Sequence, residues 1–254
     1  MSDTSDPASD APVLTAMRLA DSFLPVGTYT ASYGIEQYVN EGRVDTADEL
    51  GALIEGYLRR IVGPADTVAL SNAHRAAAAG SLAGVIEVDE RLHAATLPAE
   101  FRTSSTKGGH KLLELFRDTD PGLFGGDGNG GESGSPNASD GILSAYADAV
   151  AADETPGGYP VALGVVTQTA GIDRRTACLV GAYSFVTELL GAAQRLGRFG
   201  HTDIQAQLTR LLSVVESVCE QYADSGLDEL TSFAPLAETM GMAHERADRR
   251  LFMS

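Results

Sequence analysis

Lysine is almost missing from this 254-residue sequence: Lys107 and Lys111 are the only two, and arginine supplies the rest of the basic charge. Basic residues number 18 against 35 acidic ones, a formal net charge of −17. A nucleic-acid surface needs clustered positive charge to displace counterions from phosphate, and this balance argues against one. Diffuse acidity with so little lysine fits a halophilic protein kept dissolved in a salt-rich cytoplasm, where screening blunts self-repulsion. Cysteine is equally scarce. Cys178 and Cys219 form neither a CxxC pair nor a secreted disulfide framework. Both fall on apolar faces of predicted helices, so buried, reduced thiols are expected. The opening MSDTSDPASDAP has no basic start and no apolar stretch, so it is not a signal peptide. No apolar run approaches the roughly 20 residues of a membrane span. A cytoplasmic protein without a membrane or nucleic-acid partner is the expectation.

The usual motifs of catalysis are also lacking. The five histidines, His74, His93, His110, His201 and His244, include no pair at i, i+3 or i+4, and His244-Glu245 lacks the second histidine of a zincin helix. No GxSxG elbow occurs, and neither cysteine adjoins a histidine. A metal site assembled from distant positions stays open at this point. His93, on an apolar stripe, reads as a core histidine. Carboxylates are so numerous that pairing them carries no information, which leaves a hydrolase a poor reading.

What is present is helical periodicity. Leu50, Leu53, Ile54, Tyr57, Leu58, Ile61 and Val62 recur at i, i+3, i+4 spacing, and Thr46 with Glu49 forms a capping box ahead of them. Gly63-Pro64 is expected to stop that helix, with Pro64 in the first turn of the next, covering Asp66 to Ala79. Leu82, Val85, Ile86, Asp89, Leu92 and His93 suggest a third helix, and Pro98 opens a fourth reaching Phe116. Val161–Ala170 and Thr176–Leu196 read as adjacent buried helices, whose small residues Ala177, Gly181, Ala182, Gly191 and Ala192 allow close approach. Ile204, Leu208, Leu211, Val215, Val218 and Tyr222 mark another stripe, capped by Thr202 or Asp203. A last helix starts near Pro235. VALGVV alone is ambiguous, and no convincing period-2 strand appears. The expected architecture is all-α, a single domain of about eight to ten helices.

Two stretches stand apart. Residues 119–140 hold seven glycines and four acids without a basic residue, a flexible insertion; no GK[ST] follows, so it is no phosphate loop. Residues 1–12 read as disordered. The expected layout is thus a domain over 13–243 followed by a tail over 244–254. In that tail, HERADRRLFMS, Arg246, Arg249 and Arg250 lie beside Leu251 and Phe252. Such a pairing of arginine and aromatic residues suits interface anchors, or a frayed end with solvated charges.

Near the front, LADSFLPVGTYTASYGIE starts as a helix and is broken by Pro25 and Gly27; Gly34 permits close packing, and Tyr29, Tyr33 and Tyr38 offer amphipathic rings for docking. Four blocks in order resemble the UreF family of urease accessory proteins: LPVGTYTASYGIE; FRTSSTKGGHKLLEL; GGYPVALGVVTQTAGI with AAQRLGRFGHTDIQAQL; and the ending from Met242, with His244, Glu245, Arg250, Leu251, Phe252 and Ser254. The resemblance implies an all-α, non-enzymatic homodimer that binds UreD (also called UreH). That pair recruits the GTPase UreG and serves nickel insertion into apo-urease. Nickel and GTP are then handled by the complex, with no cofactor assigned to this chain. By resemblance Tyr29 and Arg250 match residues implicated in recruiting UreG, and His244–Ser254 matches a tail that orders against UreD. The partner-binding set is therefore Tyr29, Tyr33, His244, Glu245, Arg249, Arg250, Leu251 and Phe252. Two departures stand out: Thr28 replaces a common Gly or Ser, and His201 a common Gln. The alternative implied function is a metallochaperone carrying nickel itself, with His201 as the candidate ligand.

Overall fold

The computed structural model describes residues 10–26, 34–124, 141–235, 239, 240 and 242. Ten α-helices and no strand occur among them: α1 (Ala11–Leu19), α2 (Ile35–Asn40), α3 (Ala47–Tyr57), α4 (Val68–Ala78), α5 (Leu82–Ala95), α6 (Ala99–Thr119), α7 (Ile142–Ala151), α8 (Tyr159–Thr169), α9 (Arg174–Arg195) and α10 (His201–Tyr222). The all-α expectation holds. The capping box also holds: Thr46 Oγ1 accepts from the Glu49 amide while the Glu49 carboxylate accepts from the Thr46 amide.

α8 is the central element, buried from Pro160 to Thr167 and packed along α4, with α9 and α6 beside it. Gly164 makes the α4 contact feasible, because a Cβ there would lie 2.5 Å from the Leu70 carbonyl oxygen. Gly181 on α9 similarly admits the Leu70 and Leu163 side chains. α9 is long and apolar enough by composition to match a membrane span, but most of it is buried inside the bundle, the mark of a core helix. α10 then covers α9 and α3, where Gly51 leaves room for Gln207, whose amide donates to Asp48 at 2.8 Å. Both thiols are buried and unpaired in a disulfide, as expected.

Several expectations are corrected. Gly63-Pro64 does not stop a helix: the chain stays helical through a π segment, Leu58–Thr67, that joins α3 to α4. The wider turn tolerates Pro64, which has no N–H to place. Gly63 belongs there for packing, since a Cβ would fall 2.6 Å from the Tyr222 ring, and the Pro64 carbonyl accepts from the Thr231 amide at 3.1 Å. The helix cap of α10 is Gly200, with no side-chain bond from Thr202 or Asp203. His93 is exposed near the end of α5 and is not a core residue. Pro12 occupies the first turn of α1, so ordered chain begins before residue 13. Residues 121–124 form a short turn whose Phe124 ring lies under Arg117 at 5.4 Å, so only 125–140 of the expected insertion lies outside the described residues. Helix α7, with Ile142, Leu143, Tyr146, Ala147 and Val150 buried, was not anticipated. The last helix expected from Pro235 falls mostly outside the described residues.

One buried carboxylate organises the entry to α8. Asp89 of α5 is 1% exposed and accepts four hydrogen bonds: from Tyr146 Oη at 3.0 Å, Thr155 Oγ1 at 2.7 Å, the Gly157 amide at 2.6 Å and the Gly158 amide at 2.8 Å. α6 completes the clamp. Ser105 Oγ accepts from the Tyr159 amide at 3.1 Å, and the His110 ring meets the Pro156 carbonyl at 2.9 Å. Gly109 rests so closely on the Gly157 carbonyl that a Cβ would lie 2.0 Å from its oxygen. Gly157 itself has φ +75°, the left-handed region that suits glycine. Asp89→Ala strands two side-chain and two backbone donors in the interior, and about 3 kcal/mol or more of stability should be lost. Urea denaturation of the two proteins checks this; a loss under about 1 kcal/mol would show that water replaces the carboxylate.

Candidate functional site

The clamped loop hands the chain to Tyr159, which stands between two hollows. On one side lies a groove of about 640 Å³ formed by residues 19–26, the C-terminal half of α9 and the start of α10. The Ser184 hydroxyl of α9 approaches the Leu19 carbonyl at 3.4 Å, and the front segment is turned locally, Phe23 N donating to Asp21 Oδ1 at 2.9 Å and Leu24 N to the Asp21 carbonyl at 3.0 Å. Leu24, Ile204 and Leu208 give the groove apolar surface, while Ser184, Thr187, Gln194 and Gln205 supply hydrogen-bonding heads. Phe23, in the same segment, is 91% exposed. A mixed wall of this kind, with an exposed aromatic ring close by in the chain, suits contact with another polypeptide.

Of the residues assigned from the sequence, His201 is the one within the described residues. It opens α10, is exposed, and lines the groove. No group of three His, Cys, Asp or Glu side chains placed to hold a metal occurs among the described residues, so His201 has no ligand set around it there. Tyr29, Tyr33, His244, Glu245, Arg249, Arg250, Leu251 and Phe252 lie outside the described residues. Tyr38 is a correction to the docking role: it is 4% exposed, its hydroxyl bonded to Tyr57, and burial pushes its ionisation up. Gly34 is needed for conformation more than for packing, since it caps α2 with φ 76°.

On the other side of Tyr159 is a cavity of about 70 Å³ bounded by the π segment, the α5–α6 connection, α8 and α9. Tyr159 and Glu188 line both hollows. Burial, then the Glu188 charge, drives the Tyr159 hydroxyl well above its ordinary range. Asp66 of the π segment also lines the cavity, and burial pushes its carboxyl from 3.8 up to about 7. Asp66 was invisible to sequence reasoning, which placed it in the first turn of a new helix, where an acid is unremarkable.

These groups do not assemble a catalytic centre. Burial pushes the Cys178 and Cys219 thiols up to about 12, so neither is a nucleophile near neutral pH. Burial lowers the His74 pKa, and its Nε2 lies 2.9 Å from the Ile172 carbonyl. The chemistry on offer is recognition.

Comparison with known proteins gives a consistent answer. The family model described as UreF matches residues 44–212. The urease accessory protein UreF of Trichodesmium erythraeum is 30% identical, covering 94% of this chain and 95% of its own length. Urease accessory protein UreF 1 of Brucella melitensis is 28% identical over 95% of this chain and 92% of its own. The corresponding protein of Yersinia enterocolitica is 28% identical over 96% and 98%.

Asp66 has a consequence for stability. In the unfolded chain it gives up its proton near its ordinary value, whereas in the fold it holds it to about 7. Between those values the folded state binds more protons, so this group makes stability fall as pH rises from about 4 to 7 and level off above. Asp66→Asn should be less sensitive to pH over that window and should melt higher than the parent at pH 8. Thermal melts at pH 5, 6, 7 and 8 check this; parallel curves for both proteins would refute it.

Proposed function

The chain belongs to the UreF family of urease accessory proteins, and we propose that within urease maturation it works as an adaptor. The family's role is accessory to an enzyme and not itself enzymatic. The observation that carries the reading is a match over nearly the whole chain in relatives named for that role. In this reading the protein binds UreD (UreH), and the pair recruits UreG, whose GTP hydrolysis accompanies nickel insertion into apo-urease. Nickel and GTP are handled by the complex. The acting surfaces are two: the front stretch with Tyr29 and Tyr33, and the tail with His244, Glu245, Arg249, Arg250, Leu251 and Phe252.

Physical features agree with this assignment. The exposed Phe23 ring and the groove along α9 adjoin the front stretch in sequence, so a partner seated there meets apolar and hydrogen-bonding surface together. Arginines in an acidic chain are suited to charge-assisted contacts with a partner's carboxylates. A homodimer with twofold symmetry would present each docking surface twice, so two UreG molecules could meet on one platform. The cell compartment is the cytoplasm, and the excess of acid suits high salt.

Co-purification with the cognate UreD and UreG in high salt tests the adaptor. A chain ending at Met240 should lose UreD, whereas Arg250→Ala should retain UreD and lose UreG. Equal recovery of both partners by all versions would sink the assignment of the tail. Salt dependence is checked separately: with like charge unscreened, the melting temperature should drop by several degrees between 2 M and 0.1 M potassium chloride, on the order of 1 kcal/mol or more. A flat series would remove the halophilic reading.

A further inference from the structure

Among the described residues, the cavity beneath the α5–α6 connection shares only Tyr159 and Glu188 with the groove along α9. Its walls include Leu92, Phe101, Leu163 and Phe185, with Leu97 at 60% exposure marking its rim. Among the described residues no lysine, arginine or histidine lines it. Asp66 lines it with no hydrogen-bond or ionic partner among the described residues, unlike Asp89, whose carboxylate accepts four bonds. Asp66 is part-buried, so its carboxyl can be reached from outside while apolar walls surround it. Filling the space with an apolar residue would cost the fold less.

We propose that this cavity is an anchor pocket for a lysine or arginine side chain of a partner protein, its cationic head meeting the Asp66 carboxylate and its aliphatic stem lying along Leu97 and Phe101. The chemistry suits such an occupant: an apolar throat, the acidic side chains of Asp66 and Glu188 with the Tyr159 hydroxyl and Cys178 thiol as the other titratable groups of the lining, and exposed Leu97 at the rim. A metal ion is a poorer fit. A hard cation needs several oxygen ligands, and no trio of metal-binding side chains occurs among the described residues. The net charge of −17 would also draw a basic partner surface toward the mouth. The proton that burial keeps on Asp66 near neutral pH would leave as the cation enters, so binding should tighten with rising pH.

The test uses the full chain and n-butylguanidinium as probe, with pentanamide as its neutral counterpart, followed by NMR titration at pH 8 and pH 5.5. The expected result is a Kd at least tenfold lower for the guanidinium at pH 8. That preference should be lost in Asp66→Asn and weakened at pH 5.5. Equal Kd values in the parent would show an apolar slot only, and a preference surviving Asp66→Asn would place the attraction elsewhere; either overturns the pocket. Displacement of the probe by stoichiometric nickel chloride would assign the cavity to a metal instead. Probe binding that tightens when Arg246, Arg249 and Arg250 are all changed to alanine would assign it to the chain's own tail. A partner-protein occupant further requires that Asp66→Asn, folded by circular dichroism, recover less of at least one cognate maturation protein. This arm rests on the adaptor reading. Full recovery of every such protein, with the probe result intact, would leave a free alkyl cation as the occupant and overturn the protein partner without touching the adaptor.

Discussion

A single interior charge sets the geometry of the centre of this molecule. The Asp89 carboxylate collects two side-chain hydroxyls and two successive amides. Removing a carboxylate from water is costly, and such a group is tolerated only when its oxygens are fully hydrogen-bonded. That demand makes the loop at 155–158 rigid: only one arrangement brings the Gly157 and Gly158 amides, the Thr155 hydroxyl and the Tyr146 phenol to the same two oxygens. α5, α7 and the start of α8 are thereby tied together, and α6 is pressed on from outside through Ser105, Gly109 and His110. Where α8 begins, and so where Tyr159 stands between groove and cavity, follows from this arrangement.

Much of the fold was legible because apolar periodicity is a local property. The stripes from Leu50 to Val62 and from Ile204 to Tyr222, together with the Thr46–Glu49 box, are written within a few residues of where they act. Failures occurred where the deciding partner is distant. Gly63-Pro64 carries every local mark of a helix stop, yet the neighbouring α10, through Tyr222 and Val218, holds the chain helical there in a wider turn. Asp89 could be seen as an odd acid on an apolar stripe, but its partners lie 57 to 69 residues further along. The α7 stripe is only 10 residues long and has no side-chain cap at its start, so it carries little local signal beside the glycine-rich run.

Docking residues leave a fainter trace than catalytic ones. A catalytic group needs a neighbour of complementary chemistry, so its spacing can be recognised, whereas a tyrosine or arginine at an interface looks the same as one in solvent until the partner is present. Tyr38 shows the difficulty: within one short stretch, composition alone could not separate a ring buried against Tyr57 from rings offered for docking. Resemblance of four ordered blocks supplied what residue chemistry could not. The structure gives two of those blocks a physical purpose, since Ser105 and Gly109 of the second and Gly157 and Gly158 of the third meet in the Asp89 clamp. In this chain these residues serve folding first, and recognition only through the placement of Tyr159.

The scarcity of lysine has a practical side. Lys107 and Lys111 are one helical turn apart on α6, both exposed, and the Lys111 ammonium pairs with Glu114 at 2.8 Å. Apart from the α-amino group, these are the chain's only primary amines. Coupling at these two side chains, with the α-amino group blocked, therefore addresses one face, the outer side of the helix that clamps the 155–158 loop. A sensor surface or fluorophore attached there would hold every molecule in nearly the same orientation, with the groove along α9 reached from a different helix. An acidic protein of ordinary composition would scatter such labels over its whole surface.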